Sequence, residues 1–342
     1  MIRVTDLQLD RRTAATILGM RAESLQSVDL LRTHNHTWQV TADDASYFVK
    51  AHTKDWYDSR PASSIPVRHE LTGHRILRAA GLAGPMVIAY STDTDNPLGW
   101  PYLVTRQLPG APLVDLLSTL PAEPDDRVLT SVGRYLASMH RLTYDQPGYL
   151  IGGPPAAPDP AQWIHWLSRP ERFLLYFFET LTADAANVGV ATRDAAAGLL
   201  ERTLPRLRSA YEPLRFVHGD CHANVFYLDQ VQADWRVSGV LDMENCSAGS
   251  PPFDFAKLFI ELAGRIAARH AWWQPLFRGY GHQPDFDLIR VLLVGHAHIN
   301  YSCLGRSLWP ANREDLINHI LAARTWSELF DLERDRSGDP LR

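Results

Sequence analysis

Two segments in the second half of this 342-residue chain hold residue types suited to moving a phosphoryl group. Phe216-Val217-His218-Gly219-Asp220-Cys221-His222-Ala223-Asn224 runs from a strand-like apolar entry into a short polar loop. Asp220 can orient an attacking hydroxyl and take its proton, and the amide oxygen of Asn224, four residues on, can help to hold magnesium. Val237-Ser238-Gly239-Val240-Leu241-Asp242-Met243-Glu244 ends an apolar strand with an acid, 22 residues after Asp220. A hairpin between the two would return the chain to the same place, and Asp242 would supply hard oxygen to a magnesium ion bridging phosphates. Each acid alone also fits an ordinary turn; the chemistry rests on the pair.

Two further pieces fit around them. In Gly249-Ser250-Pro251-Pro252-Phe253-Asp254-Phe255-Ala256-Lys257-Leu258, Asp254 stands where an apolar helix begins, a place for a structural carboxylate that binds backbone N–H groups. Lys50 closes a strand, and Glu70 lies on the helix that follows. An ammonium that grips phosphates must be held in place, and a carboxylate on a facing helix can do so. Lysine occurs only at positions 50, 54 and 257, against 34 basic residues in all, so a lysine at a special place is informative.

The elements that must position these groups are readable in outline. Short strands are expected at 27–31 and 37–40 around the polar turn Thr33-His34-Asn35-His36, then at 47–50 and 101–107. A helix is expected from about Val67 to Ala80, with Pro66 at its start and Gly81 at its end. Glu70, His74 and Leu77 share one of its faces. Leu108-Pro109-Gly110 breaks the strand pattern, and the chain then turns helical, with Val128, Leu129, Val132, Tyr135, Leu136, Met139 and Leu142 at helical spacing. Helices are expected at 161–183 and 193–210, strands at 225–228 and 237–241, and some three helices over 253–333. The outline is α+β: a small β-rich lobe over 1–107, a hinge at 108–112 and a larger, mainly helical lobe over 113–342, with a cleft between them for a nucleotide.

Bulk properties narrow the classes. A net charge of −5 argues against a nucleic-acid partner, which a basic face would announce. The three cysteines, Cys221, Cys246 and Cys303, have no zinc spacing and fit a reduced, cytoplasmic setting. No apolar run is long enough for a membrane span, and the first dozen residues mix charges without the pattern of a signal peptide.

Taken in order, Lys50, Glu70, Leu103-Val104-Thr105-Arg106-Gln107-Leu108-Pro109-Gly110, His218-Gly219-Asp220 with Asn224, Leu241-Asp242 and Asp254 resemble the aminoglycoside phosphotransferase and choline kinase superfamily, over roughly residues 28–260. Val132-Gly133-Arg134-Tyr135-Leu136-Ala137-Ser138-Met139-His140 also resembles the helix these enzymes carry before their catalytic loop. The resemblance implies a bilobal protein-kinase-like fold and magnesium-dependent transfer of the γ-phosphoryl of ATP, or GTP, to a hydroxyl of a small molecule. It implies Asp220 as catalytic aspartate, Asn224 and Asp242 as magnesium ligands, and Lys50, oriented by Glu70, on the α- and β-phosphates. The backbone of Arg106 and Leu108 would meet the adenine. The loop from Asp220 to Asn224 is one residue shorter than is usual in that superfamily, and the turn at 33–36 lacks glycine, so Asn35 is expected to provide its permissive backbone.

The resemblance favours an antibiotic or related glycoside as acceptor, with a choline-like amino alcohol or a sugar as the alternative. Trp272, Trp273 and Tyr280, with Glu261 for an amine, are the candidate acceptor contacts, since aromatic faces stack on sugars and hold cations. Two other readings stand beside the kinase. His218-x-Asp220-x-His222 has the residue types of a metal cluster. A nucleotide-binding regulator without turnover would keep the fold and lose the chemistry.

Overall fold

The computed structural model describes residues 7–32, 35–43, 45–53, 65–119, 126–150, 178–209, 213–266, 271–300 and 313–330. Near the N-terminus, Asp10 caps helix α1 (Arg11–Leu18), accepting from the Thr13 N–H at 2.7 Å, and Gly19 ends it in the left-handed region. Five antiparallel strands follow: β1 (Leu25–Arg32), β2 (Thr37–Ala42), β3 (Ser46–Ala51), β4 (Val87–Ser91) and β5 (Tyr102–Arg106), ordered β1-β2-β3-β5-β4. Alternation along β2 and β3 sends Trp38, Val40, Ala42, Tyr47, Val49 and Ala51 into one core, which α1 covers with Ala14, Ala15 and Ile17. The same alternation turns Phe48 and Lys50 to the opposite face.

Helix α2 (Ile65–Ala79) buries Val67, His69, Glu70, Leu71, Gly73, His74 and Leu77. It packs against the segment that follows Asp242. A Cβ on Gly73 would stand 2.6 Å from Met243 Cβ, so the absence of a side chain permits the approach. His69 Nε2 contacts the Cys246 carbonyl beside it. The helix that carries Glu70 is thus tied directly to the chain that carries Asp242.

Beyond β5 the chain crosses to the second lobe through β6 (Ala111–Pro112), which pairs with β10 (Phe226–Val231); β10 and β11 (Asp234–Val240) form the expected hairpin. A second small sheet joins β7 (Thr143–Tyr144), β9 (Leu214–Val217), β12 (Ser247–Gly249) and β8 (Gly148–Tyr149). Helices Asp126–Met139, Val190–Ser209, Pro252–Ile266, Trp273–Tyr280, Phe286–Asn300, Arg313–Ala322 and Trp326–Phe330 build the lobe around a core that includes Val128, Leu136, Phe216, Phe226, Phe259 and Ile289. Among the described residues no helix is long and apolar enough to cross a membrane. The helix expected at 161–183 lies mostly outside the described residues.

Candidate active site

Strand β9 delivers the loop at 218–224, and one helix holds it. Asp254, fully buried near the start of helix Pro252–Ile266, accepts from the His218 N–H at 2.8 Å and the Gly219 N–H at 2.9 Å. Its Oδ2 also lies 3.1 Å from His140 Nε2, and His140 Nδ1 lies 3.0 Å from the Tyr280 hydroxyl. One turn further on, Lys257 contacts Asp220 Oδ1, and after another turn Glu261 accepts from the Ala223 N–H at 3.1 Å. Asp254, Lys257 and Glu261, at spacings of three and four, form one stripe that reads the loop in order. Gly219 sits at φ 79°, where a Cβ would come within 2.2 Å of the Asn245 carbonyl oxygen; glycine alone fits.

His218 fastens the loop to the strand that ends in Asp242. The Asp220 N–H donates to His218 Nδ1 at 3.2 Å, so Nε2 carries the proton and donates to the Leu241 carbonyl at 2.8 Å. Both ring nitrogens are thereby used, which removes the reading of His218 as a metal ligand. Burial works to raise the Asp220 pKa, but the Lys257 ammonium, together with His222 and His218, outweighs it and holds the carboxyl well below its usual range.

Asp242 adopts φ 64° and ψ 47°, a left-handed conformation costly for a non-glycine residue, and its side chain caps nothing. The Leu241 N–H donates to the Val225 carbonyl at 2.9 Å, so Asn224 and Asp242 each stand one residue beyond this pair, at the same end of the hairpin. Lys50 crosses from β3 to meet Asp242, and its ammonium also lies 3.1 Å from Glu70 Oε2 and 3.1 Å from Glu244 Oε2. Burial pulls the Lys50 pKa down, yet Asp242, Glu244 and Glu70 together drive it well above the usual lysine value. Burial likewise opposes ionisation of Glu70, and Lys50 followed by His52 reverses the effect and holds it well below the usual range. Asn35, at φ 46°, donates its side-chain amide to Glu244 at 3.3 Å, so the left-handed backbone expected of it is present; Thr33 and His34 lie outside the described residues.

The donor set fits magnesium. Asp242 offers a carboxylate that keeps 26% of its side-chain exposure, and Asn224, with a neutral amide oxygen, stands one residue beyond the same backbone pair. His52, Glu70 and Glu244 also converge at metal-ligand spacing, their ligand atoms within 4.8 Å of one another. The Lys50 ammonium already lies 3.1 Å from both of those carboxylates, so its positive charge occupies the place an ion would take.

Other expected contacts fall differently. The Arg106 N–H is committed to the Met86 carbonyl at 2.9 Å, which leaves the Arg106 carbonyl as its group for a purine edge. Leu108 is buried against the hairpin, where a Cβ on Gly239 would meet its Cδ2 at 2.6 Å. Trp272 and Trp273 do not line a cleft; both are buried against Phe330, with ring centroids at 4.7 and 5.3 Å, because so much aromatic surface gains most by leaving water. Tyr280 is spent on His140 and Glu261 on the Ala223 N–H. Trp163, Trp166 and Trp309 lie outside the described residues. Sequence reasoning passed over Lys257, His52 and Glu244; the scarcity of lysine and the three-residue step from Asp254 were the signals for Lys257.

The profile of the phosphotransferase enzyme family matches residues 31–292, more than half of the chain. The chain belongs to this family. Viomycin phosphotransferase of Streptomyces vinaceus is 29% identical over 192 residues, which are 55% of this chain and 60% of that protein, so the match spans less than two thirds of the relative. Among solved structures, the GDP and kanamycin complex of APH(2")-IIia superposes with a TM-score of 0.59 at 13% identity, over 91% of this chain and 96% of that one. Aminoglycoside phosphotransferase APH(3'')-Id of Streptomyces rimosus, in complex with ADP and streptomycin, gives 0.53 at 16% identity, over 84% and 97%. At these identities the structures establish the fold, and the family's α+β, bilobal kinase-like architecture is the one expected from the sequence.

Proposed function

We propose that this chain transfers the γ-phosphoryl group of ATP or GTP to a hydroxyl of an antibiotic or related glycoside, with magnesium. The observation that carries the reading is the meeting of Lys50 with Glu70 and Asp242, while His218 ties the Asp220 loop to the same strand end. Residues 1–107 then form the nucleotide lobe, 108–112 the hinge and 113–342 the catalytic and acceptor lobe. Asp242 and Asn224 would hold magnesium, which when bound supplies positive charge to the phosphates.

Lys50, oriented by Glu70, grips the phosphates and fixes the γ-phosphoryl in line with the acceptor. The carbonyl of Arg106 and the N–H of Leu108 serve as the purine contacts, and the left-handed turn at Asn35 brings backbone over the phosphates. Asp220 accepts a hydrogen bond from the acceptor hydroxyl, orients a lone pair at phosphorus and takes the proton as the new bond forms. Its depressed pKa makes it a weak base, so orientation is its larger contribution. The names of the similar proteins, a viomycin phosphotransferase and complexes with kanamycin and streptomycin, support an antibiotic acceptor.

The test is a coupled assay of ADP or GDP release with magnesium, across aminoglycosides, viomycin and other peptide antibiotics, other glycosides, sugars and choline. Turnover with an antibiotic is expected. Turnover with choline or a hexose alone would move the acceptor class. Nucleotide binding with no turnover on any acceptor would replace the enzyme with a nucleotide-binding regulator.

A further inference from the structure

We propose that Lys257 is a further catalytic residue of this phosphotransferase, its ammonium contacting the phosphoryl group as it passes to the acceptor. The inference rests on the kinase reading above and adds a residue to it. Lys257 touches Asp220 Oδ1 directly, and the acceptor oxygen must lie against the same carboxylate. In-line transfer sets phosphorus next to that oxygen, which brings the equatorial phosphoryl oxygens within reach of a cation on Asp220. The helix bearing Lys257 cannot drift from the loop, because Asp254 and Glu261 bind the loop on either side of it.

Among the described residues, Lys257 is the cation in contact with Asp220. Lys50 stands on the donor side, against Asp242 and Glu70. Beside Lys257 and Asp220, burial holds His296 at about 3, so that imidazole is neutral at pH 7. Lys257 keeps its charge: burial opposes it, but Asp220 outweighs burial and raises the pKa. It also keeps 22% of its side-chain exposure, and Asp220 keeps 26%, so the pair is open to solvent. Arginine supplies all but three of the 34 basic residues of this chain, yet a compact ammonium on a flexible stem stands here.

In the step, the acceptor oxygen bonds to the γ-phosphorus and the bond from that phosphorus to the β,γ-bridging oxygen breaks, its electron pair leaving on the nucleoside diphosphate. The hydroxyl proton goes to Asp220 Oδ2 and then to solvent. Charge spread over the three equatorial oxygens is met by Lys257 from the acceptor side.

The experiment is single-turnover transfer of labelled γ-phosphoryl, with an acceptor the wild type uses, by wild type, Lys257→Met, Lys257→Arg, Asp220→Asn and the Asp220→Asn/Lys257→Met double variant. Lys257→Met is expected to slow transfer by about 10²-fold or more, the scale for removing a preorganised donor from a transition state. Binding of ADP with magnesium, read by calorimetry, should stay within about threefold, since no ground-state contact to ADP is lost. Lys257→Arg should recover part of the rate. In the Asp220→Asn background, Lys257→Met should still cost about tenfold or more; a cost that vanishes there would show that Lys257 acts through Asp220 alone and would overturn the proposal. A single Lys257→Met variant as fast as wild type would overturn it too. Should Lys257→Met fail to fold, Lys257→Gln replaces it in both backgrounds. An inert wild type would instead sink the kinase reading, so the two failures are distinguishable.

Discussion

The Lys50 ammonium lies 3.1 Å from Glu70 Oε2, and the same carboxylate oxygen stands 3.2 Å from His52 Nε2. Glu70 is therefore the joint between a strand-borne cation and a buried imidazole, with Glu244 3.1 Å from Lys50 on the other side. Removing one partner of a buried ion cluster leaves the others as uncompensated charge. Lys50→Met is expected to destabilise the chain by about 3–5 kcal/mol and to abolish turnover. Denaturant unfolding measures the first. A Lys50→Met chain as stable as wild type would mean that water, not protein, surrounds these acids.

His52 makes stability depend on pH on the alkaline side. Its ring is fully buried, which lowers its pKa, but Glu244 at 3.4 Å and Glu70 at 3.2 Å overrule burial and raise it above 6.5. A histidine whose folded pKa is raised contributes stability that is complete below its unfolded pKa and lost as pH rises through the folded one. The melting temperature should therefore fall from about pH 6.5 upward, and His52→Gln should flatten that slope. Parallel curves for the two proteins would remove His52 as its source.

Asp220→Asn should lower kcat by at least about 10²-fold while leaving the nucleotide KM near wild type, because the loss falls on the positioned hydroxyl. Asp242→Ala should remove magnesium-dependent turnover. Since Lys257 depresses the Asp220 pKa below 3.8, the rate should show no acid limb from Asp220 across the range in which the protein is folded. A near-normal kcat for either variant would dismantle the site.

The sequence shows Lys50, Glu70, Asp220 and Asp242 because each sits at the end of an apolar strand or on one helix face, and the elements recur in a fixed order. Other features are set by burial, which a linear pattern does not reveal. Lys257 looks like any charge on an amphipathic helix until Asp254 fixes the helix register against the loop. The paired Trp272 and Trp273 read equally as a binding wall or as core, and their contacts with Phe330 decide for core. Strand β4 escapes detection because, on this edge strand, the outward-facing Ile88 and Tyr90 are themselves apolar, as is the exposed Met86 just before it. The period-two signal is erased. Helix α1 is too short for periodicity to resolve, and only its Asp10 cap and Gly19 mark it.

Asp254 separates support of the loop from chemistry at Asp220. Its two oxygens accept the His218 and Gly219 N–H groups, and His140 approaches the second oxygen. Asp254→Ala would leave two buried donors unpaired, each costing about 1–3 kcal/mol. The expected loss of stability is about 3 kcal/mol or more, with kcat falling alongside as the loop loses its register. Asp254→Asn should be milder in stability, because one side-chain oxygen still accepts, while its new N–H group confronts a backbone donor. Asp220→Asn should also lower the melting temperature, because it leaves Lys257 without its carboxylate, but its larger effect should fall on activity, since the carboxylate holds no backbone donor of the loop. Unfolding and single-turnover rates measured on the three variants together decide the matter. If Asp254→Ala keeps both stability and rate, the stripe on helix Pro252–Ile266 does not hold the loop, and the placement of Asp220 must come from β9 and His218 alone.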